Sequence, residues 1–180
     1  MVTPTVYPRD SWHTRFMFRR RIRPRPGQES VWDYPRPPRV EPATAPVRVV
    51  HNRVDLANTE RALRVLETAS PPTYYIPLDD VAMKYLHSTT GTNVCEFKGV
   101  ASYFDLEVKA RVSSRAAWTY QSPKEGFEEL AGHIAFYAGR VDAAYVGEEK
   151  VTPQAGDFYG GWITSAVVGP FKGEPGTLGW

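Results

Sequence analysis

The prolines of this 180-residue chain constrain its fold more than any other residue type, because they are concentrated at one end. Nine of the 16 lie in the first fifty residues. Proline has a fixed φ and no backbone N–H, so this region is expected to be extended rather than helical. It also holds ten Arg, no Lys and four acidic residues, whereas the rest of the chain is net negative. The sequence therefore predicts a basic Pro/Arg-rich N-terminal extension over residues 1–29.

Aromatic residues indicate which end segments pack on a folded domain. Trp32 and Tyr34 follow the extension, and disordered tails are normally poor in aromatic residues. Residues 156–180 are rich in glycine and large aromatic rings, which linkers rarely carry. We expect residues 30–155 to form a β domain and residues 156–180 to be a strap belonging to the same domain.

The middle of the chain has the patterns of short β-strands. Residues 47–50 and 54–57 predict a hairpin with its turn near Asn52. Residues 61–68 alternate in polarity as a strand does, although a short helix is the alternative.

A longer strand and one helix complete this prediction. Residues 92–108 predict a strand that Gly99 interrupts with a bulge or a close approach of the backbone. Residues 81–87 predict a short helix capped by Asp79 or Asp80. The expected fold is mainly β, with about seven short strands and one or two short helices.

Two charged residues stand among apolar neighbours in these strands. The carboxylate of Glu67 is either partly buried, paired with a cation, or turned into solvent where its strand ends. Lys98 follows Phe97, and an ammonium in apolar surroundings needs a carboxylate or an anionic ligand. Glu67 and Glu96 are the candidate partners, and in a regular strand Glu96 and Lys98 share a face. Cys95 is either a small buried apolar residue or a weaker candidate for chemistry.

The sequence lacks the signatures of several classes of functional site. A single cysteine excludes an intramolecular disulfide and an all-cysteine zinc site. Serine-nucleophile, phosphate-loop and dinucleotide-binding fingerprints are absent. No metal site is expected, because the histidines are far apart in the sequence: His13, His51, His87 and His133.

The chain shows no signal for a membrane or for secretion. No stretch approaches the ~18 uninterrupted apolar residues that a spanning helix needs, and the arginine run precedes no apolar core. We therefore expect a cytoplasmic protein without a membrane partner. The basic, aromatic N-terminal region can attract nucleic acid, but no reader motif accompanies it and the remaining chain is acidic.

An ordered series of segments resembles a bacterial and fungal family, the domain of unknown function 427, also labelled nucleotidyltransferase-like. The segments are residues 30–38 (SVWDYPRPP), 62–68, 72–77, 80–81, 95–101 (CEFKGVA), 116–120 and 132–137, with a similar tail at 158–162 and 168–173. The resemblance implies a compact domain of tent-like β-sheets, similar to zinc-binding chaperone-like proteins. Those proteins hold zinc with pairs of cysteines, which Cys95 alone cannot reproduce.

The nucleotidyltransferase label implies a glycine-serine element followed by paired aspartate ligands for magnesium. Asp79 and Asp80 are the only adjacent pair, and no such element precedes them, so we discount the label. The resemblance instead implies one candidate site that is made of two groups of residues. The candidate catalytic residues are Glu67 and Lys98, with Cys95 and Asp80 as weaker ones, and the candidate ligand-binding residues are Tyr75, Tyr103, Trp118 and Tyr120.

These residues predict an aromatic pocket for an unidentified small molecule. Lys98 would hold an anionic or carbonyl group, and Glu67 would be an acid–base group or the partner of Lys98. Whether the protein is an enzyme, which cofactor it uses, and whether it forms a homodimer are left open. The alternatives are a non-enzymatic protein-interaction module and a nucleotidyltransferase-like or nucleic-acid-binding protein that uses its basic N-terminus.

Overall fold

Short strands and single helical turns make up the protein. A computed structural model describes residues 21–156 and 158–177. Its strands are β1 Glu29–Ser30, β2 Arg39–Pro42, β3 Val47–His51, β4 Val54–Thr59, β5 Leu63–Leu66, β6 Thr73–Pro77, β7 Leu86–Cys95, β8 Gly99–Val108, β9 Arg111–Thr119, β10 His133–Phe136, β11 Ala143–Val146, β12 Glu149–Lys150, β13 Thr152–Pro153, β14 Trp162–Ile163 and β15 Val167–Val168. The described helical segments are 3-10 turns at Val31–Asp33, Leu78–Asp80, Met83–Tyr85, Glu128–Leu130 and Ala138–Arg140. The predicted mainly β fold is confirmed.

The predicted hairpin at Asn52 is present. Strands β3 and β4 pair in antiparallel register, and the two residues that connect them have positive φ angles, 46° at Asn52 and 63° at Arg53. Such angles are typical of a two-residue turn whose twist matches that of the flanking strands. The segment 61–68, for which helix and strand were both open, contains β5.

The predicted helix over residues 81–87 is wrong. Val81 forms a bridge with Ala57 of β4, and the N–H of Ala82 donates to the carbonyl of Leu56 at 2.7 Å. These backbone groups are therefore bonded to a neighbouring strand. After one 3-10 turn the chain enters β7 at Leu86.

Two sheets form the body of the fold. The larger is a curled antiparallel sheet of seven strands in the order β2-β5-β6-β10-β9-β8-β7. The smaller has four strands in the order β12-β11-β3-β4. One large apolar cluster contains residues of both, including Val49 and Leu56 from the smaller sheet and Ile76, Leu106 and Phe136 from the larger one. The two sheets therefore share a core.

The other face of the seven-stranded sheet carries a second cluster that is mostly aromatic. In β6, Tyr74 and Ile76 belong to the shared core, whereas Tyr75 belongs to the second cluster. In β9, Ala117 and Trp118 divide in the same way. Alternate residues of a strand point to opposite faces, so each of these strands serves both clusters. The candidate site lies on this aromatic face.

Segments near both ends of the described chain pack together. Strand β1 pairs in parallel with β15, and Trp32 donates from its ring N–H to the carbonyl of Pro170 at 2.9 Å. Trp162 of β14 is 1% exposed and donates to the carbonyl of Phe136 at 2.9 Å. The domain limits at residues 29/30 and 155/156 stay predictions. Residues 1–20 of the predicted extension and residues 178–180 of the predicted strap lie outside the described residues.

Candidate functional site

A cavity of about 260 Å³ lies against the aromatic face of the seven-stranded sheet. Its described lining comes from several strands and from the C-terminal segment. It includes seven of the eight residues that the sequence nominated: Glu67, Tyr75, Cys95, Lys98, Tyr103, Trp118 and Tyr120. Asp80 does not line it. The structure thus brings together side chains that are up to 53 positions apart in the chain.

The register of four strands aligns the aromatic rings of this wall. Ala135 of β10 pairs with Tyr75 of β6 on one side and with Trp118 of β9 on the other. Trp118 in turn pairs with Tyr103 of β8. Because Ala135 has only a methyl group, the large rings on either side can meet across it. Tyr75 and Trp118 form an edge-to-face pair at 6.2 Å, and the Trp118 N–H donates to the Tyr75 hydroxyl at 3.3 Å.

Lys98 reaches the cavity from a tight connection between strands. The expected strand over residues 92–108 is wrong, since the chain reverses at residues 96–98 and continues as β8. Gly99 makes this reversal possible with a φ of 102°, a left-handed value that favours glycine. The Lys98 carbonyl accepts from the N–H of Lys124 at 3.2 Å, so the connection is fixed to the next loop.

Lys98 and Glu67 form an ion pair inside the cavity. The Lys98 Nζ lies 3.5 Å from Glu67 Oε2, and the two side chains are 11% and 25% exposed. Glu67 directly follows β5, where the Ser70 N–H donates back to the Glu67 carbonyl at 3.0 Å. A charge-assisted hydrogen bond between these groups is normally ~2.7–2.9 Å. The two charges are therefore close enough to attract each other. Their separation is also wide enough for a ligand atom to contact both.

The residues just before Lys98 differ in position: Glu96 lies at the surface, whereas Cys95 lines the cavity. The expectation that Glu96 and Lys98 share a face is wrong, because the chain reversal separates them and Glu96 pairs with Arg36 at the surface. Cys95 ends β7 and lines the cavity, where its Sγ accepts from the Lys98 backbone N–H at 3.5 Å. Of the two candidate carboxylate partners of Lys98, the structure selects Glu67.

Asp80 belongs to a separate polar group. Its carboxylate accepts from the Arg61 guanidinium at 2.6 Å and from the Thr59 hydroxyl at 2.5 Å. The hydrogen bond from Arg61, and to a smaller extent that from Thr59, holds the pKa of Asp80 below its usual value. Asp80 thus connects the 3-10 turn that ends at this residue to the end of β4.

Sequence reasoning missed the opposite wall of the cavity. Tyr137 follows β10 and stacks on Trp118 with ring centroids 4.4 Å apart. Asn93 of β7 donates to the Tyr103 hydroxyl at 2.9 Å. Tyr137 ended one of the segments that carried the family resemblance, so a signal existed for it. The tail segments of the same resemblance contain Phe158, Tyr159, Gly160 and Lys172, whereas Gln154 has no comparable signal.

The C-terminal segment closes this wall by direct contact with Trp118. A Cβ atom added to Gly160 would lie 2.1 Å from Trp118 Cη2, so only glycine fits there. Gln154 anchors the segment, because its side chain accepts from the Gly161 N–H at 3.0 Å and donates to the Lys172 carbonyl at 2.7 Å.

The electrostatics of the cavity are governed by cations and neutral phenols. The guanidinium carbon of Arg115 lies 3.9 Å from the Tyr103 ring centroid, and that of Arg140 lies 4.4 Å from the Tyr137 centroid. Burial raises the pKa of Tyr75, and burial together with nearby Tyr103 raises the pKa of Tyr137 to about 12. These phenols therefore stay protonated at neutral pH, and the Tyr137 hydroxyl donates to the Phe158 carbonyl at 3.3 Å.

A metal-binding cluster is not found among the residues that the structure describes: no three His, Cys, Asp or Glu side chains lie together in a way that could hold an ion. Across the same residues, no helix has the length and apolar character needed to cross a membrane.

Comparison with known families gives one match. The family model of the domain of unknown function DUF427 matches residues 39–147. The chain belongs to the DUF427 family. Comparison with curated proteins gives no match.

The DUF427 match covers only part of the residues that line the cavity. The matched region contains Glu67, Lys98 and the aromatic row on the sheet, whereas Gln154, Phe158, Tyr159, Gly160 and Lys172 lie beyond it. The polar pair and its aromatic floor are thus part of the DUF427 region. The opposite wall combines Asn93 and Tyr137 of the matched region with the C-terminal segment of this chain.

Proposed function

We propose that this DUF427 protein binds a small molecule in the aromatic cavity, with Lys98 and Glu67 as its polar anchors. The observation that carries the proposal is the Lys98–Glu67 pair, which lies within an aromatic enclosure at 3.5 Å rather than at hydrogen-bonding contact. Binding sites for small molecules are concave and largely apolar, with a few convergent polar groups that orient the ligand. The cavity has this composition.

The chemistry available to a ligand follows from the two anchors. An ammonium has three N–H donors, so Lys98 can keep its contact with Glu67 and donate to an anionic or carbonyl oxygen as well. Glu67 can accept a hydrogen bond from the ligand, or it can exchange a proton with it. Among the described residues, this is where a carboxylate and an ammonium meet within the cavity.

The size of the cavity sets the scale of the ligand. A volume of about 260 Å³ is just below the ~300–1,000 Å³ of drug-sized sites. It equals the space of roughly nine water molecules at ~30 Å³ each. The proposed ligand is therefore a compact molecule with a single ring or with two fused rings.

The test is a fragment screen by ligand-observed NMR on the full chain, with a variant that fills the cavity. Ala101 is buried in the cavity wall, and Ala101→Leu adds volume there. We expect ring-containing fragments that bind the wild type but not Ala101→Leu. Lys98→Met should weaken the fragments that carry an anion or carbonyl, and Lys150→Met, at an exposed position on β12, should not.

Two results would contradict the proposal. One is the absence of any fragment that distinguishes the wild type from Ala101→Leu while both variants show the same far-ultraviolet circular dichroism. The other is equal binding of anionic fragments to the wild type and to Lys98→Met.

A further inference from the structure

We propose that the ligand is a planar aromatic carboxylate that carries an N–H or O–H donor beside its carboxylate. This inference rests on the proposed function and goes beyond it by naming the chemical class. It is argued from the charges around the cavity, the arrangement of the rings, and the spacing of Lys98 and Glu67.

The charge around the cavity favours an anion. Among the described lining residues, Lys98 and Lys172 are the cations and Glu67 is the one carboxylate. Arg115 and Arg140 add two guanidinium groups against the rings of the wall. The field in an enclosure of low dielectric is stronger than in water, so these cations attract a negative ligand and repel a positive one.

The rings of the wall suit a planar group. Two of them also stack against guanidinium groups outside the cavity lining, Tyr103 with Arg115 and Tyr137 with Arg140, and these cations disfavour a cationic ligand nearby. Trp118 and Tyr75 meet edge to face, which leaves a wall of flat surfaces at differing angles. Offset and edge-to-face contacts with such a wall favour an aromatic ligand over an aliphatic one.

The spacing of the two anchors selects the functional groups. Lys98 Nζ and Glu67 Oε2 lie 3.5 Å apart, so a ligand that contacts each through a separate group needs an acceptor and a donor a similar distance apart on one side of the molecule. A carboxylate beside a ring N–H meets this requirement: the carboxylate accepts from Lys98 and the N–H donates to Glu67. The nearby carboxylate of Glu67 also disfavours a doubly charged phosphate, because like charges repel at this distance.

Four probes separate these features. Indole-2-carboxylate has the carboxylate and the adjacent N–H, and benzofuran-2-carboxylate has the same shape and charge with an oxygen in place of the N–H. Indole-2-carboxamide keeps the ring and loses the charge, and N-methylquinolinium is a planar cation. Dissociation constants are measured by isothermal titration calorimetry at neutral pH and constant salt, on the full chain.

We expect indole-2-carboxylate to bind about tenfold more tightly than the carboxamide, and several-fold more tightly than the benzofuran acid. Lys98→Met should remove the first difference. Glu67→Gln should reduce the second difference, because the indole N–H then donates to a neutral amide oxygen instead of a carboxylate. Lys150→Met is the matched surface control and should leave every ratio unchanged.

The outcomes distinguish this inference from the function on which it rests. If the carboxamide or the cation binds as tightly as the acids, and Ala101→Leu abolishes that binding, the cavity is a ligand site of another class and the inference is overturned. If none of the four probes binds at millimolar concentration, the inference is likewise overturned, and the fragment screen then decides the proposed function separately.

Discussion

Arg64 is a buried cation that two carboxylates share. Its guanidinium is 10% exposed and donates to Glu29 at 2.9 and 3.0 Å and to Glu41 at 2.8 Å. Arg64 belongs to β5, Glu41 to β2, and Glu29 to β1. One side chain therefore connects the edge of the seven-stranded sheet to the strand that holds the C-terminal segment.

Replacing Arg64 should destabilise the protein strongly. We expect Arg64→Met to lower the free energy of unfolding by about 3 kcal/mol, because it removes the salt-bridge partner of Glu29 and leaves Glu41 with the more exposed Arg39. Urea denaturation measures this change. The control is Arg48→Met, which removes a surface ion pair with Asp55 whose side chains are about half exposed, and it should cost less than about 1 kcal/mol. Equal losses in both variants would contradict the prediction.

Glu29 gives this cluster a pH dependence. Burial alone would raise its pKa, but hydrogen bonds from Arg64 and Tyr34 and the charge of Arg64 outweigh burial and hold the pKa below the ordinary value of 4.5. The folded state therefore gains stability above that ordinary value. It loses this contribution as the pH falls through the lower pKa of the folded protein.

The corresponding prediction concerns Glu29→Gln. The difference in unfolding free energy between the wild type and this variant should be largest near about pH 6 and shrink toward about pH 3. Urea denaturation at a series of pH values measures it. A difference that stays constant over the whole range would show that the charge of Glu29 is not responsible.

Among the structural elements, the segment that carries Gly160 controls the cavity most directly. We expect Gly160→Ala to push this segment away from Trp118, since the added Cβ has no room beside a ring that is itself packed on Tyr137. The cost should be about 1–3 kcal/mol of unfolding free energy, as for an overpacked core. The tryptophan emission should also shift, because one face of Trp118 becomes wetter.

Gly139→Ala is the matched control for this prediction. A Cβ at Gly139 would meet Pro153 at 3.6 Å, an ordinary contact distance. Its effect on tryptophan emission and on unfolding should be small. An equal effect of the two substitutions would mean that the contact of Gly160 with Trp118 has no special part in closing the cavity.

The elements that sequence could predict were those with local signals. The turn at Asn52 stands between two alternating strands, so the hairpin follows from neighbouring residues alone. Gly99 signalled an interruption of the strand, but nothing local distinguishes a bulge from a reversal, because Phe97 and Val100 continue the apolar pattern through it. The helix over residues 81–87 was wrong for a similar reason: the pairing of Val81 with a distant strand outweighs its local preference.

The residues of the candidate site also differ in whether the sequence could predict them. Tyr75, Trp118 and Tyr103 fall in one row because of strand register, which no local pattern reveals, and they were nominated through the family resemblance. Lys172 and Gly160 lie beyond the region that the family model matches, and only the folded chain brings them to the cavity.

At the scale of the whole molecule, we expect the folding unit to extend beyond the matched region. A fragment of residues 39–147 lacks β1 and β14, and with them the buried ring of Trp162 and one partner of Arg64. We expect this fragment to show no cooperative thermal transition and weak near-ultraviolet circular dichroism. A fragment of residues 21–180 keeps these contacts and should melt cooperatively. Cooperative melting of the shorter fragment would contradict the prediction.

The pairing of β1 with β15 also determines how the molecule would respond to mechanical force. The two strands are parallel, and the Glu29 N–H donates to the Ala166 carbonyl at 2.8 Å. Tension applied between residues 21 and 177 would therefore load this pair in shear, so its hydrogen bonds would have to break together rather than one after another. The C-terminal wall of the cavity is also held by the pairing of β13 with β14 and by the hydrogen bond from the Lys172 N–H to the Ala69 carbonyl. We therefore expect an optical trap to record the rupture of β1 and β15 as a high-force first event.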